Sequence, residues 1–214
     1  MCGIIGYIGP DDTGRIVHQG LKNLEYRGYD SAGIALTGET LTLAKTAGRV
    51  DELTAPQSAD ATVGIGHTRW STHGEPTETN AHPHTDCTGE VAVVHNGIIE
   101  NYDALKRDLS EQHVFQSETD TEVIPHLIET HLADDVSLLS AVQRTTEQLD
   151  GSYAIAATAA GHDGIVVARE DSPLLIGHGD DATFIGSDAT AFIEHTRRVT
   201  YLESGDIAHL TADD

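Results

Sequence analysis

A chain of 214 residues with 35 acidic and 12 basic side chains, for a net charge of −23, has the length of one large domain and a field that repels nucleic acid and anionic membranes. No stretch approaches the ~18 consecutive apolar residues of a membrane span. The opening Met1–Pro10 lacks the basic region of a signal peptide, so the cytoplasm is the expected compartment. Lysine occurs only at Lys22, Lys45 and Lys106, and the acids are dispersed, not gathered in a tail. That balance points to a salt-rich habitat, where ions screen the self-repulsion of the folded state. Two distant cysteines, Cys2 and Cys87, do not make a disulfide framework.

In chain order, Cys2–Ile8 reads as a buried strand ended by Gly9-Pro10. Asp11 and Asp12 can cap a helix to about Tyr26, with Ile16, Val17, Leu21 and Leu24 on one face. Ser31–Thr37 and Leu41–Thr46 form a hairpin pattern turning at Gly38. Val63–Thr68 and Val91–His95 read as buried strands. Helical stretches follow over Tyr102–Ser110, Thr121–Ala133 and Ser137–Leu149, with Pro125 early enough in the second to be tolerated. Strands return at Tyr153–Thr158, Ile165–Ala168, Leu174–Ile176 and Thr183–Ile185. A short helix near Ala189–His195 and the strands Val199–Leu202 and Asp206–Leu210 close the chain. Strands, then helices, then strands with hairpin-length connections predict an α+β fold of antiparallel sheets covered by helices, in one domain over residues 2–214.

Five segments could carry chemistry. Cys2 becomes the first residue if Met1 is removed, and it then holds a thiol and an α-amine of reference pKa about 7.7–8.0 on one residue. The amine can take the thiol proton, so no separate histidine base is needed. The competing reading is a small buried hydrophobe, and the context Cys2-Gly3 shifts the balance because Gly3 allows a close backbone approach to the reacting centre. His67-Thr-Arg-Trp-Ser-Thr-His-Gly74 leaves a strand and is expected to put Arg69, Thr72 and His73 in a loop with Trp70. Arginine is a bidentate clamp for carboxylates, and an aromatic in a polar loop often gates a site. His95-Asn96-Gly97 is either a hairpin turn or an oxyanion hole, and the sequence does not separate the two. Ser117–Glu122 reads either as a helix cap with acidic first-turn residues or as a site where Asp120 pairs with a substrate ammonium. His82, His84 and Cys87 fall within eight residues, but their spacing fits no common zinc pattern, so no metal or other cofactor is expected.

Taken in order, Cys2-Gly-Ile-Ile-Gly6, Leu24-Glu-Tyr-Arg-Gly-Tyr-Asp-Ser-Ala-Gly33, His67–Gly74, Asn80-Ala-His-Pro-His84, Val94-His-Asn-Gly-Ile-Ile-Glu-Asn101 and Ser117–Glu122 resemble the glutaminase domain of glutamine–fructose-6-phosphate aminotransferases. Leu149–Ala154 and Arg169–Leu174 extend the likeness over nearly the whole chain. The resemblance implies an N-terminal nucleophile hydrolase fold, a four-layer αββα sandwich of two antiparallel sheets. It implies that Cys2 attacks the side-chain amide of L-glutamine to form a thioester and release ammonia. Asn96 and Gly97 would hold the oxyanion, and Arg69 the substrate carboxylate. Thr72 and His73 would shape the pocket, Asp120 would bind the α-ammonium, Arg27 would support the nucleophile, and Trp70 would ride the loop that closes over glutamine. Family enzymes continue into sugar-phosphate isomerase domains that bind fructose 6-phosphate, so glutamine hydrolysis alone is expected of this length of chain; a homodimer stays open. The competing readings are another amidotransferase of the same fold, such as amidophosphoribosyltransferase, a non-catalytic regulatory domain on that scaffold, and a metal-dependent hydrolase using His82, His84 and Cys87.

Overall fold

A computed structural model describes residues 2–71 and 74–212. Met1, Thr72 and His73 therefore lie outside the described residues. The strands, in chain order, are β1 (Gly3–Ile8), β2 (Ser31–Thr37), β3 (Leu41–Ala47), β4 (Val63–Arg69), β5 (His84–Thr85), β6 (Val91–Ile99), β7 (Gly151–Ala159), β8 (Ile165–Glu170), β9 (Leu175–His178), β10 (Thr183–Gly186), β11 (Val199–Tyr201) and β12 (Ile207–Leu210). They form a seven-stranded sheet, ordered β11-β9-β10-β1-β4-β2-β3, and a five-stranded sheet, ordered β12-β8-β7-β6-β5. Every pairing is antiparallel.

Alternation along the strands builds three apolar layers. On β1, Ile4 and Ile8 face the other sheet and meet Ala92 and Val94 of β6 and Ala154 and Ala156 of β7. Ile5 and Tyr7 face the opposite way, onto Ile16, Val17 and Leu21 of α1 (Thr13–Leu24). On the five-stranded sheet, Val91, Val93, Ile155 and Ala157 turn outward beneath α3 (Val123–Leu132) and α4 (Leu138–Thr146). The layer order is helix, sheet, sheet, helix, as expected. α2 (Tyr102–Leu109) lies between β6 and α3 in sequence.

The helices begin where the caps predict. Asp12 accepts the Arg15 N–H at 3.1 Å ahead of α1, and Ser137 accepts the Ser140 N–H at 3.2 Å ahead of α4. Three expectations need correction, and one open alternative closes. The first helix ends at Leu24 and tightens into a 3₁₀ turn over Glu25–Arg27. The stretch expected as a helix over Ala189–His195 keeps only a 3₁₀ turn, Ala189–Ala191, because Phe192 is drawn into the core beneath β9 and β10. Asn96-Gly97 is no hairpin turn: β6 runs through it to Ile99, paired with β7 along its whole length. Arg69 is the last residue of β4, not a loop residue.

Candidate active site

Strand parity selects the residues that meet at one end of the layer between the sheets. On β4, Ile65 packs between the sheets, so His67 and Arg69, two and four positions on, face the same way. On β6, Ala92 and Val94 set the face on which Asn96 follows. On β1, Ile4 sets the face that Cys2 continues. Ile4 pairs with His67, and the same register carried one step past Gly3 sets Cys2 beside Arg69. Gly3 is needed for packing on the other side of the strand: a Cβ there would stand 2.7 Å from Thr68 Oγ1 and 2.9 Å from Leu24 Cβ. Its small size therefore serves strand–helix contact and not the reacting centre.

The Cys2 thiol accepts the Trp70 N–H at 3.3 Å. Asn96 Nδ2 donates to the Cys2 carbonyl at 3.2 Å. Because that carbonyl can only accept, Asn96 Oδ1 must face the other way, where it meets His67 Nε2 at 2.9 Å. An amide oxygen only accepts, so His67 is the Nε2–H tautomer. Gly97 sits at φ +133°, and a Cβ there would strike the Ser152 carbonyl at 1.9 Å, so glycine alone lets β6 pass. Asp120 is buried, and its Oδ2 accepts the Ile99 N–H at 2.8 Å. The Arg69 guanidinium is also buried and reaches Ser71 Oγ at 3.3 Å and the Gly74 and Glu75 carbonyls at 3.4 Å. Cys2, Arg69, Trp70, Gly97 and Asp120 thus line one cleft with His67, His82, His95, Thr119 and Thr121. Its free volume is ≈ 30 Å³, the scale of a water molecule and far below that of an amino acid.

Comparison with known proteins decides the family. Residues 67–194 match the glutamine amidotransferase domain. The chain belongs to that family. It is 76% identical over 212 residues to a glutamine–fructose-6-phosphate aminotransferase (isomerizing) of Halobacterium salinarum, covering 99% of this chain and 35% of the relative. To the enzyme of the same name from Pyrococcus horikoshii it is 50% identical, over 100% of this chain and 37% of that one. The chain therefore spans about a third of the length of these curated relatives. Among solved structures, the glutamine phosphoribosylpyrophosphate amidotransferase of B. subtilis superposes with a TM-score of 0.79 at 30% identity, over 96% of this chain and 46% of that one. A second, titled as the allosteric regulatory enzyme of purine biosynthesis, gives 0.81 at 30% identity. The fold is that of the N-terminal nucleophile hydrolases, as the sequence motifs imply.

The electrostatics of the amidotransferase domain follow from burial. Burial pushes the Cys2 thiol above its ordinary value, and Asp30 adds to this, while the Trp70 N–H and Arg69 oppose it. Burial lowers the Arg69 guanidinium, opposed by Cys2, Asp120 and Asp30. The cleft floor is a histidine stack that sequence reading did not find. His67 lies 4.2 Å from His82 ring to ring, and His82 lies 4.8 Å from His84 and 6.5 Å from His95. His95 Nδ1 meets Thr121 Oγ1 at 2.8 Å, and His84 Nε2 meets Thr119 Oγ1 at 2.9 Å. Burial lowers all four, His67 to about 3, so the stack is neutral. Strand parity does not reveal it: His67 follows the inter-sheet face of Ile65, whereas His95 follows the outward face of Val91 and Val93, and His82 stands outside any strand.

Arg27 stands apart from the cleft lining, and Trp70 stands at its exposed rim. Arg27 pairs with Asp188 at 3.0 Å, and Tyr26 Oη donates to the same carboxylate oxygen at 3.0 Å. That pair lies one residue beyond Ser187, whose hydroxyl accepts the Ile4 N–H of β1 at 3.0 Å. Trp70 is 44% exposed and packs edge-on against Tyr29 at 5.4 Å. Asp30 Oδ2 anchors the next residue by accepting the Ser71 N–H at 2.8 Å. The grouping of His82 and His84 with Cys87 is not found: the two histidines are buried in the stack, while Cys87 is exposed beside other residues.

Proposed function

We propose that this domain hydrolyses L-glutamine to glutamate and ammonia through a thioester on Cys2. The observation that carries the reading is the convergence of Cys2, Arg69, Gly97 and Asp120 on one cleft between the sheets, with the Asn96 amide donating to the Cys2 carbonyl. With Met1 removed, the Cys2 α-amine takes the thiol proton as Sγ attacks the amide carbon. The tetrahedral oxyanion is held by Asn96 Nδ2 and the Gly97 N–H. Collapse breaks the C–N bond, and the amine returns its proton to the departing ammonia. Water then attacks the thioester, passes through the same oxyanion site, and releases glutamate and the free thiol.

A zwitterionic substrate needs one cation and one anion placed apart, and Arg69 and Asp120 fill those roles. The bonds of Arg69 to Ser71, Gly74 and Glu75 are long, and a carboxylate forms stronger bidentate ones. Thr72 and His73, outside the described residues, keep the pocket-shaping role that the family resemblance implies. The cleft is too small for glutamine as it stands, so the Trp70 segment shifts as substrate enters. Arg27, through Asp188, steadies the β1 edge that carries Cys2.

In the full-length protein the ammonia passes to fructose 6-phosphate on sugar-phosphate isomerase domains, as the names of the relatives support. Similarity of 76% and 50% to those enzymes favours this acceptor over the phosphoribosyl one. Among the described residues no helix is long and apolar enough to cross a membrane, which fits the proposed cytoplasmic location. The net charge of −23 and the halophilic relative support a salt-rich cytoplasm. The test is glutamate and ammonia release from glutamine by wild type and Cys2→Ala. Wild type turns over and the variant does not; equal turnover by both would remove Cys2 from the mechanism.

A further inference from the structure

On the outer face of the five-stranded sheet, away from the cleft lining, Cys87 meets two histidines and a glutamate from distant parts of the chain. We propose that Cys87, His113, His126 and Glu129 form a structural zinc site. Their donor atoms all lie within 4.8 Å of one another. Cys87 Sγ is 3.7 Å from His113 Nδ1 and 3.7 Å from His126 Nδ1. Glu129 Oε2 is 2.9 Å from His113 Nδ1 and 3.4 Å from His126 Nδ1. Tetrahedral zinc, with bonds of about 2.3 Å to sulfur and about 2.0–2.2 Å to nitrogen and oxygen, separates S from N by ~3.6 Å and N from O by ~3.4 Å. The sulfur–nitrogen separations and that of His126 from Glu129 hold nearly that spacing, while His113 and Glu129 stand closer.

Proton accounting points the same way. The Thr130 hydroxyl gives its one proton to the His126 carbonyl at 2.9 Å, so it can only accept from His113 Nε2, 2.9 Å away. Nδ1 of His113 is thereby turned to the Glu129 carboxylate, 2.9 Å away, where a bound cation can take the lone pair that a proton otherwise holds. His126 repeats the pattern: Nδ1 faces the cluster, while the buried Nε2 lacks a hydrogen-bond partner and points to Glu122 Oε1 at 3.8 Å. A histidine with one nitrogen on a cluster and the other toward a carboxylate is the usual outer support of a zinc ligand. Cys87 Sγ accepts the Val114 N–H at 3.4 Å, which fixes the sulfur's position facing the cluster. Four protein donors close the coordination sphere, so the role is structural. Sulfur and imidazole donors select zinc over magnesium or calcium. The ion would clip the Cys87 loop and the segment between α2 and α3 to α3 itself. The deprotonated thiol required for binding makes uptake release a proton.

The test uses Cys2→Ala protein, in which Cys87 is the remaining thiol. Titration with Co²⁺ is expected to give the intense visible bands of a tetrahedral ion and a thiolate-to-cobalt band in the near ultraviolet, both abolished by added Zn²⁺. Cys87→Ser, an exposed and conservative change, loses the thiolate band. His113→Ala weakens binding at least tenfold, and Thr130→Val weakens it by about 10-fold through the lost outer support. Zinc raises the unfolding temperature of wild type, and a chelator reverses it. Absence of the thiolate band in Cys2→Ala protein, or a band that survives Cys87→Ser, would overturn the site. So would a Co²⁺ spectrum of octahedral form.

Discussion

His67 of one sheet donates through Nε2–H to Asn96 Oδ1 of the other at 2.9 Å, and this bond turns the Asn96 amide N–H toward Cys2. It fixes both the side-chain orientation and the tautomer, since burial holds His67 neutral with a pKa of about 3. The proposed oxyanion donor is thus preorganised by a neighbouring side chain. Asn96→Ala is expected to lower kcat about 10²–10³-fold. His67→Leu lets the amide turn and lowers kcat about tenfold or more at nearly unchanged KM, and His67→Gln, which can still donate, recovers part of the loss. Steady-state kinetics check this; a His67→Leu variant with altered KM and wild-type kcat would contradict the positioning role.

Arg69 and Asp120 should act on substrate binding. Asp120→Asn keeps an acceptor for the Ile99 N–H but removes the partner for the α-ammonium. The expected loss in kcat/KM corresponds to about 2–5 kcal/mol, as for truncating one member of a buried charge pair. Arg69→Ala should lose a similar amount, and γ-amides lacking the α-amine should discriminate less between wild type and Asp120→Asn. The comparison of kcat/KM for glutamine and a des-amino analogue reads this directly.

The histidine stack makes stability depend on pH. Burial lowers His67, His82, His84 and His95 in the folded state, so the unfolded chain binds more protons between the ordinary histidine value near 6.5 and about 3. Their contribution is present above about pH 6.5 and is lost as pH falls through that window. Glu122 works in the same direction. Burial would raise it, but the His126 ring and the donors of Gln116 and Ser117 outweigh this and hold it at about 2. Its contribution is present above about 4.5 and is lost toward 2. Relief of the −23 charge opposes both, so the measurement belongs in molar salt, where repulsion is screened. Denaturant midpoints there should begin to fall near pH 6, and a flat profile down to pH 5 would contradict the neutral stack.

Salt itself should stabilise the fold. With 35 acidic against 12 basic groups, raising KCl from low to molar levels is expected to raise the unfolding temperature. Exposed pairs such as Lys22–Asp51 and Arg198–Asp180 are weakened by salt, but each contributes little. A falling midpoint would argue for an ordinary acidic protein.

Much of the candidate site was legible because its side chains follow strand parity. Cys2 and Arg69 stand at the ends of apolar alternations that set which face they join, and Asn96 continues one, so motif and pattern agreed. Asn96-Gly97 was ambiguous because its local signal is that of a hairpin; pairing with β7 overrides that preference and keeps β6 extended through a positive-φ glycine. The Ala189–His195 segment has helical composition, but burying Phe192 outweighs the weak propensity of so short a stretch. The histidine stack and the Cys87 cluster could not be read from spacing. Their members come from different sheets, loops and a helix, and only the tertiary fold brings them together.

The central claim is that glutamine is opened by the Cys2 thiol with its own α-amine as base, and trapping the acyl intermediate tests it most directly. Protein with Met1 removed, acid-quenched during turnover with glutamine and digested, should yield an N-terminal peptide heavier by one γ-glutamyl group on Cys2. Protein that retains Met1, whose Cys2 nitrogen is a peptide amide, should yield none and release no ammonia. Equal ammonia release from both forms, or a γ-glutamyl group found on Cys87 and not on Cys2, would contradict the account.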